Sequence, residues 1–125
     1  MQHSPRTVGY RFCLPSGKVV VHVADGCHSV QNRSLLPILQ NADLLIHDAQ
    51  YCLQDFKPNW GHSAFEKVVE LALAAGVKRL VLFHHGPTVT DRELKKRLRF
   101  AKQKIRRKGS SMLCELAKEG KGIAL

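Results

Sequence analysis

The sequence predicts an α/β fold in which helices pack on a sheet that contains parallel strands. Three observations predict it. Residues 61–87 read as an amphipathic helix feeding a short apolar strand, which is half of a β/α repeat. Short β-branched or apolar runs recur at Val19–Ala24, Ala42–Ile46 and Leu80–Phe83, separated by helical patterns. Three of these runs stop on titratable side chains, the place where chemistry gathers in open α/β sheets.

Taken in order, Thr7–Leu14 reads as a strand with Val8, Tyr10 and Phe12 alternating on one face. Pro15, Ser16 and Gly17 supply turn chemistry, and Val19–Ala24 is a second strand, so the two predict a hairpin. Asn32 or Ser34 starts a short helix through Leu39. A third strand, Ala42–Ile46, ends on His47 and Asp48, and 52–60 is a loop. Ser63 and Glu66 form a capping box for the central helix. Its apolar face holds Phe65, Val68, Val69, Ala72 and Ala75, with Glu66, Lys67 and Glu70 opposite. Gly76 ends the helix. Leu80–Phe83 has the continuous apolar character of a strand covered on both faces. Thr90 and Glu93 make a second capping box for a helix through about Lys108, with Leu94, Leu98, Ala101 and Ile105 as its apolar stripe. Met112–Leu116 and Gly122–Leu125 read as a closing hairpin.

The 125 residues are expected to form a single domain, 1–125, and 44% of them are hydrophobic, enough for a core. No run approaches the roughly 20 apolar residues of a membrane span, and the first residues lack the apolar core of a signal peptide. The four cysteines, Cys13, Cys27, Cys52 and Cys114, are scattered, so free thiols in a cytoplasmic setting are the expectation. The net charge is +10, yet residues 91–108 hold ten Lys or Arg against Asp91 and Glu93. The positive charge is therefore one basic helix and not a general property of the surface.

Asp25, His47, Asp48, His84 and His85 close strands, while His3 and His62 stand at element starts. Imidazoles and carboxylates suit zinc and related metals and also acid–base work. Each residue has a plainer reading: Asp25 as a turn cap beside Gly26, His62 as a neighbour of a helix cap, His84 as a packed strand-end residue, His3 as an unanchored terminal residue. No HxxxH or HExxH spacing is present.

The order His3, Gly9-Tyr10-Arg11, a hairpin ending in Asp25, Ile46-His47-Asp48-Ala49, Gly61-His62-Ser63 and Leu82-Phe83-His84-His85 resembles the C-terminal half of a metallo-β-lactamase-fold hydrolase. The ribonuclease Z and phosphodiesterase-like branch is nearest in pattern. The resemblance implies half of an αββα sandwich, one mixed sheet with helices on one face. It implies that His3 binds a first metal, Asp25 bridges two, and His84 (or, less closely matched, His85) binds the second. It also implies that Asp48 and His62 donate a proton to the leaving group. The cofactor implied is zinc, two ions in a complete site, with manganese or iron as other choices. Such ions lower the pKa of a bound water and clamp a phosphoryl oxygen.

Asp stands at 48 where the family has Glu, Gln50 replaces a hydroxyl-like position and Ala64 replaces Thr. The family's main His-x-His-x-Asp-His motif is absent from these residues. The expectation is therefore the C-terminal portion of a dinuclear phosphodiester or related ester hydrolase, inactive or weakly active alone and holding at most one ion weakly. Its partner would be the other half of the fold or a second copy, its substrate a small phosphodiester or RNA-like molecule, and no membrane is involved. An exposed sheet face predicts self-association. The alternative reading is a nucleic-acid-binding or assembly module, with Lys95, Lys96 and Arg99 contacting phosphates; its plainer counterpart is a solvated surface helix.

Overall fold

The computed structural model describes residues 9–23, 36–48, 65–83 and 90–125. In chain order these form β1 (Gly9–Cys13), β2 (Val19–Val23), α1 (Leu36–Leu39), β3 (Leu44–Asp48), α2 (Phe65–Ala75), β4 (Arg79–Phe83), α3 (Asp91–Arg107) and β5 (Leu113–Leu116). The strands build one sheet in the order β1-β2-β3-β4-β5. The β1–β2 pair is the predicted antiparallel hairpin, and every later pair is parallel, so the sheet is mixed.

Strand side chains alternate between faces, and the register divides them cleanly. Val21, Val23, Leu45, Leu80, Leu82 and Cys114 share one face and belong to a single buried cluster with Leu39 of α1, with Val68, Val69 and Ala72 of α2, and with Ala101 and Ile105 of α3. The helices thus cover one side. The other face carries Val20, Leu44, Ile46, Val81 and Phe83, with Tyr10, Phe12 and Leu113 at its margins. Leu44 and Val81 are buried there, but Tyr10, Phe12 and Leu113 are 56%, 51% and 57% exposed. No helix among the described residues is long and apolar enough to cross a membrane. Cys13 and Cys114 are free thiols.

Gly76 ends α2 as the sequence predicts, with φ of 71°. Its N–H donates to the Leu73 carbonyl (3.2 Å) and Val77 N–H to the Ala72 carbonyl (3.1 Å), a Schellman-type closure. A Cβ at Gly76 would lie 2.9 Å from Asn41 Oδ1. At α3, Thr90 Oγ1 accepts from Glu93 N–H at 3.1 Å, which is the N-cap half of the predicted capping box.

Four sequence readings need correction. First, the predicted closing hairpin does not form. β5 pairs parallel with β4, residues 117–125 contain no strand, and the tail returns so that Arg79 Nη1 donates to the Ala124 carbonyl. The polar turn at Lys118–Lys121 permits a reversal, but the open edge of β4 offers more backbone pairing. Second, β3 sits two residues later than expected, so His47 and Asp48 lie inside it. Ala42 and Asp43 are claimed by the preceding turn, where Asp43 serves as a clasp. Third, Glu66 is buried and not on the outer face of α2. Fourth, Arg97 is buried and not solvated: its guanidinium lies 5.6 Å from the Phe65 ring centroid and its Nε 4.0 Å from Glu93. A long aliphatic stem lets arginine be buried at a helix seam.

The Asp43 clasp ties the starts of three strands. Its carboxylate accepts from Val19 N–H at 2.8 Å and from Lys78 Nζ at 3.1 Å, with Lys18 Nζ at 3.9 Å. The Val19 backbone bond, then the Lys78 bond, lower its pKa below the usual carboxylate value. A carboxylate with a depressed folded pKa adds stability above its unfolded pKa, and that stability is lost as pH falls through the folded value. Wild-type stability is therefore expected to fall more steeply below about pH 4 than that of Asp43→Asn. Urea midpoints measured from pH 6 to pH 2 check this; parallel curves for the two proteins would contradict it.

Candidate active-site edge

Parallel strands place their carboxyl ends on one edge of a sheet, and the register here sets how level those ends are. Val23, the last residue of β2, pairs with His47, and Asp48, the last of β3, pairs with Phe83, the last of β4. Because β1 is antiparallel, its first residue, Gly9, pairs with Val23 and starts from the same edge. Each candidate residue outside the described set is therefore joined in sequence to this edge. His3 precedes Gly9 by six residues, Asp25 follows Val23 by two, and His84 and His85 follow Phe83 directly. His62 stands three residues before α2, whose chain came from the end of β3. The opposite edge holds the turns at 14–18, 40–43, 76–78 and 108–112, together with the Asp43 clasp.

His3, Asp25, His62, His84 and His85 lie outside the described residues. Asp48 lies within them, at the end of β3 and fully buried, on the face away from the helices. A buried carboxylate is kept only where partners satisfy it. His47 is also fully buried, on the helix face. Its Nδ1 donates to the Asp48 carbonyl oxygen at 2.9 Å, which assigns the proton to Nδ1 because a carbonyl can only accept. The bond fixes the imidazole against the last peptide of the strand.

One titratable group near this edge escaped the sequence reading. His22, in β2, stacks on Phe83 with ring centroids 5.5 Å apart and planes 20° apart. It shares the face of Asp48 and touches the residue just before His84. The period-2 alternation of Val20, His22 and Ala24 carried that signal, but the apolar neighbours of His22 masked it. Among the described residues, no three His, Cys, Asp or Glu side chains are grouped to hold a metal ion. Lys95, Lys96 and Arg99 are exposed on α3, away from the sheet.

Comparison with known proteins fits this geometry. The family described as "Beta-lactamase superfamily domain" matches residues 1–85. Ribonuclease Z of Archaeoglobus fulgidus is 39% identical over 70 residues, covering 54% of this chain and 22% of that protein. Among solved structures, the metallo-β-lactamase fold protein YhfI from Bacillus subtilis superposes with a TM-score of 0.67 at 26% identity, covering 86% of this chain and 40% of its own. Yeast PDE1, at 13% identity and a TM-score of 0.63, shares the fold. The chain spans between 20% and 28% of the length of the curated relatives it matches.

Proposed function

Because the chain belongs to the beta-lactamase superfamily domain family, we propose that it supplies the C-terminal part of a metal-dependent hydrolase acting on phosphodiester bonds. The observation that carries the reading is the shared edge. β1 starts there and β2, β3 and β4 end there, and each leads within a few residues to an acid or imidazole.

In this reading His3, Asp25 and His84 are the donors for divalent metal, and their imidazole and carboxylate chemistry suits zinc or manganese. Bound metal would lower the pKa of an attacking water and neutralise charge on the phosphoryl oxygens. Asp48, oriented by His62, donates a proton to the departing oxygen. Its place at the end of β3, beside the strand end that leads directly into His84, suits that role. The remaining ligands are supplied from outside these 125 residues, and the sheet face bearing Tyr10, Phe12, Val20 and Leu113 is where that part of the fold packs.

The test is a chimaera in which this chain replaces the matching segment of the Archaeoglobus fulgidus ribonuclease Z. The folded, metal-loaded chimaera is expected to hydrolyse bis(p-nitrophenyl) phosphate. The 125-residue chain alone is expected to do so no faster than its Asp25→Ala variant. A folded, metal-loaded chimaera without turnover would refute the hydrolase reading. Metal-dependent turnover by the isolated chain as a monomer would refute the need for further ligands.

A further inference from the structure

We propose that the outer surface of α3 is a track for the phosphate backbone of RNA, extending substrate contact away from the catalytic edge. The inference deepens the phosphodiesterase reading and rests on it for the choice of RNA as the anion.

Three features of the helix carry it. Lys95, Lys96, Arg99, Lys102, Arg106 and Arg107 are all exposed. At 3.6 residues per turn they fall within an arc of about 140°, a single stripe along the solvent side. No Asp or Glu occurs between Glu93 and Glu115, and none of the six has an acidic partner among the described residues. By contrast, the two basic residues that face inward are used structurally. Arg97 lies over Phe65 and beside Glu93, and Lys104 pairs with Glu70. The helix therefore sorts its cations, pairing those at the seam and leaving unneutralised those in water. A helix held only by its packing gains nothing from six unpaired like charges, which repel one another.

Position and chemistry select the ligand. Thr90, which caps α3, follows the last residue of β4 by seven positions, so the helix starts at the catalytic edge. It must then run to the opposite edge, because β5 is parallel to β4 and begins there. Seventeen residues make a ridge roughly 25 Å long, suited to several consecutive phosphates. The apolar side of the helix, Ala101 and Ile105, is buried in the core and is not free to enter a bilayer, which disfavours a membrane-surface role.

Fluorescence anisotropy of the 125-residue chain with a labelled single-stranded RNA 20-mer in EDTA tests this without catalysis. Affinity is expected to fall steeply between 50 and 200 mM salt, with a log–log slope of about −0.7 per phosphate contact. The triple variant K95A/K96A/R99A is expected to bind at least about tenfold more weakly, with a slope less negative by about 2. A control of equal charge change, K18A/K118A/K121A, is expected to lose less than threefold. Equal losses in the two triple variants would overturn the proposal in favour of net charge alone. Absence of RNA binding at 50 mM salt, or binding to phosphatidylserine vesicles in preference to RNA, would also overturn it. Hydrolysis of bis(p-nitrophenyl) phosphate by the chimaera reports separately on the catalytic reading, since that small ester cannot reach along the ridge.

Discussion

Asp48→Asn in the ribonuclease Z chimaera is expected to slow cleavage of an RNA substrate by about 10²–10⁴-fold while barely changing hydrolysis of bis(p-nitrophenyl) phosphate. The split follows from the leaving groups. An RNA ribose oxygen departs as a poor alkoxide and needs a proton in the transition state; p-nitrophenolate departs unaided. Asparagine preserves the shape of the buried Asp48 side chain but cannot deliver a proton. KM for RNA is expected to change little, since proton donation belongs to the transition state and not to ground-state binding. Equal losses on the two substrates would mean that Asp48 acts on the metal site or on folding, and would remove it from the role of acid.

The second large effect concerns the core. Leu82 is 1% exposed in the second-to-last position of β4, flanked in the sheet by His47 and Leu116. Leu82→Ala is expected to cost about 2–5 kcal/mol through lost burial and a cavity under the helices. Domains of this kind have roughly 5–15 kcal/mol in total, so the variant should unfold at a much lower urea concentration with an unchanged m-value. Phe12, at 51% exposure on the other face, should tolerate alanine within about 0.5 kcal/mol in the isolated chain. The contrast follows from the one-sided core: helices cover the Leu82 face and leave the margin of the other open. Similar costs at the two positions would contradict it.

The parts of this fold that local physics dictates were legible in the sequence. α2 needs an apolar face, a stop at Gly76 and a run that cannot face water at β4, and each is written in adjacent residues. The β1–β2 hairpin is equally local. What escaped depends on partners distant in sequence. Whether β5 turns back on the tail or joins β4 is decided by an unfilled strand edge thirty residues away. Arg97 looks like a surface residue until Phe65, far back in the sequence, is placed beneath its guanidinium. Asp43 looks like the start of a strand until Val19 and Lys78 arrive to bind it. The edge itself was legible because β2 and β4 end close to the change from apolar to polar residues, whereas β3 runs two residues past that change and takes in His47 and Asp48. His22 was hidden because a lone imidazole among valines reads as core.

Isothermal titration of the 125-residue chain with zinc measures most directly whether the strand ends assemble a metal site. Wild-type protein is expected to bind one ion weakly, and Asp25→Ala and His84→Ala are each expected to abolish that binding while the circular dichroism spectrum stays unchanged. Unaltered zinc binding in both variants, or no binding by the wild type at millimolar zinc, would show that these residues do not meet around a common ion.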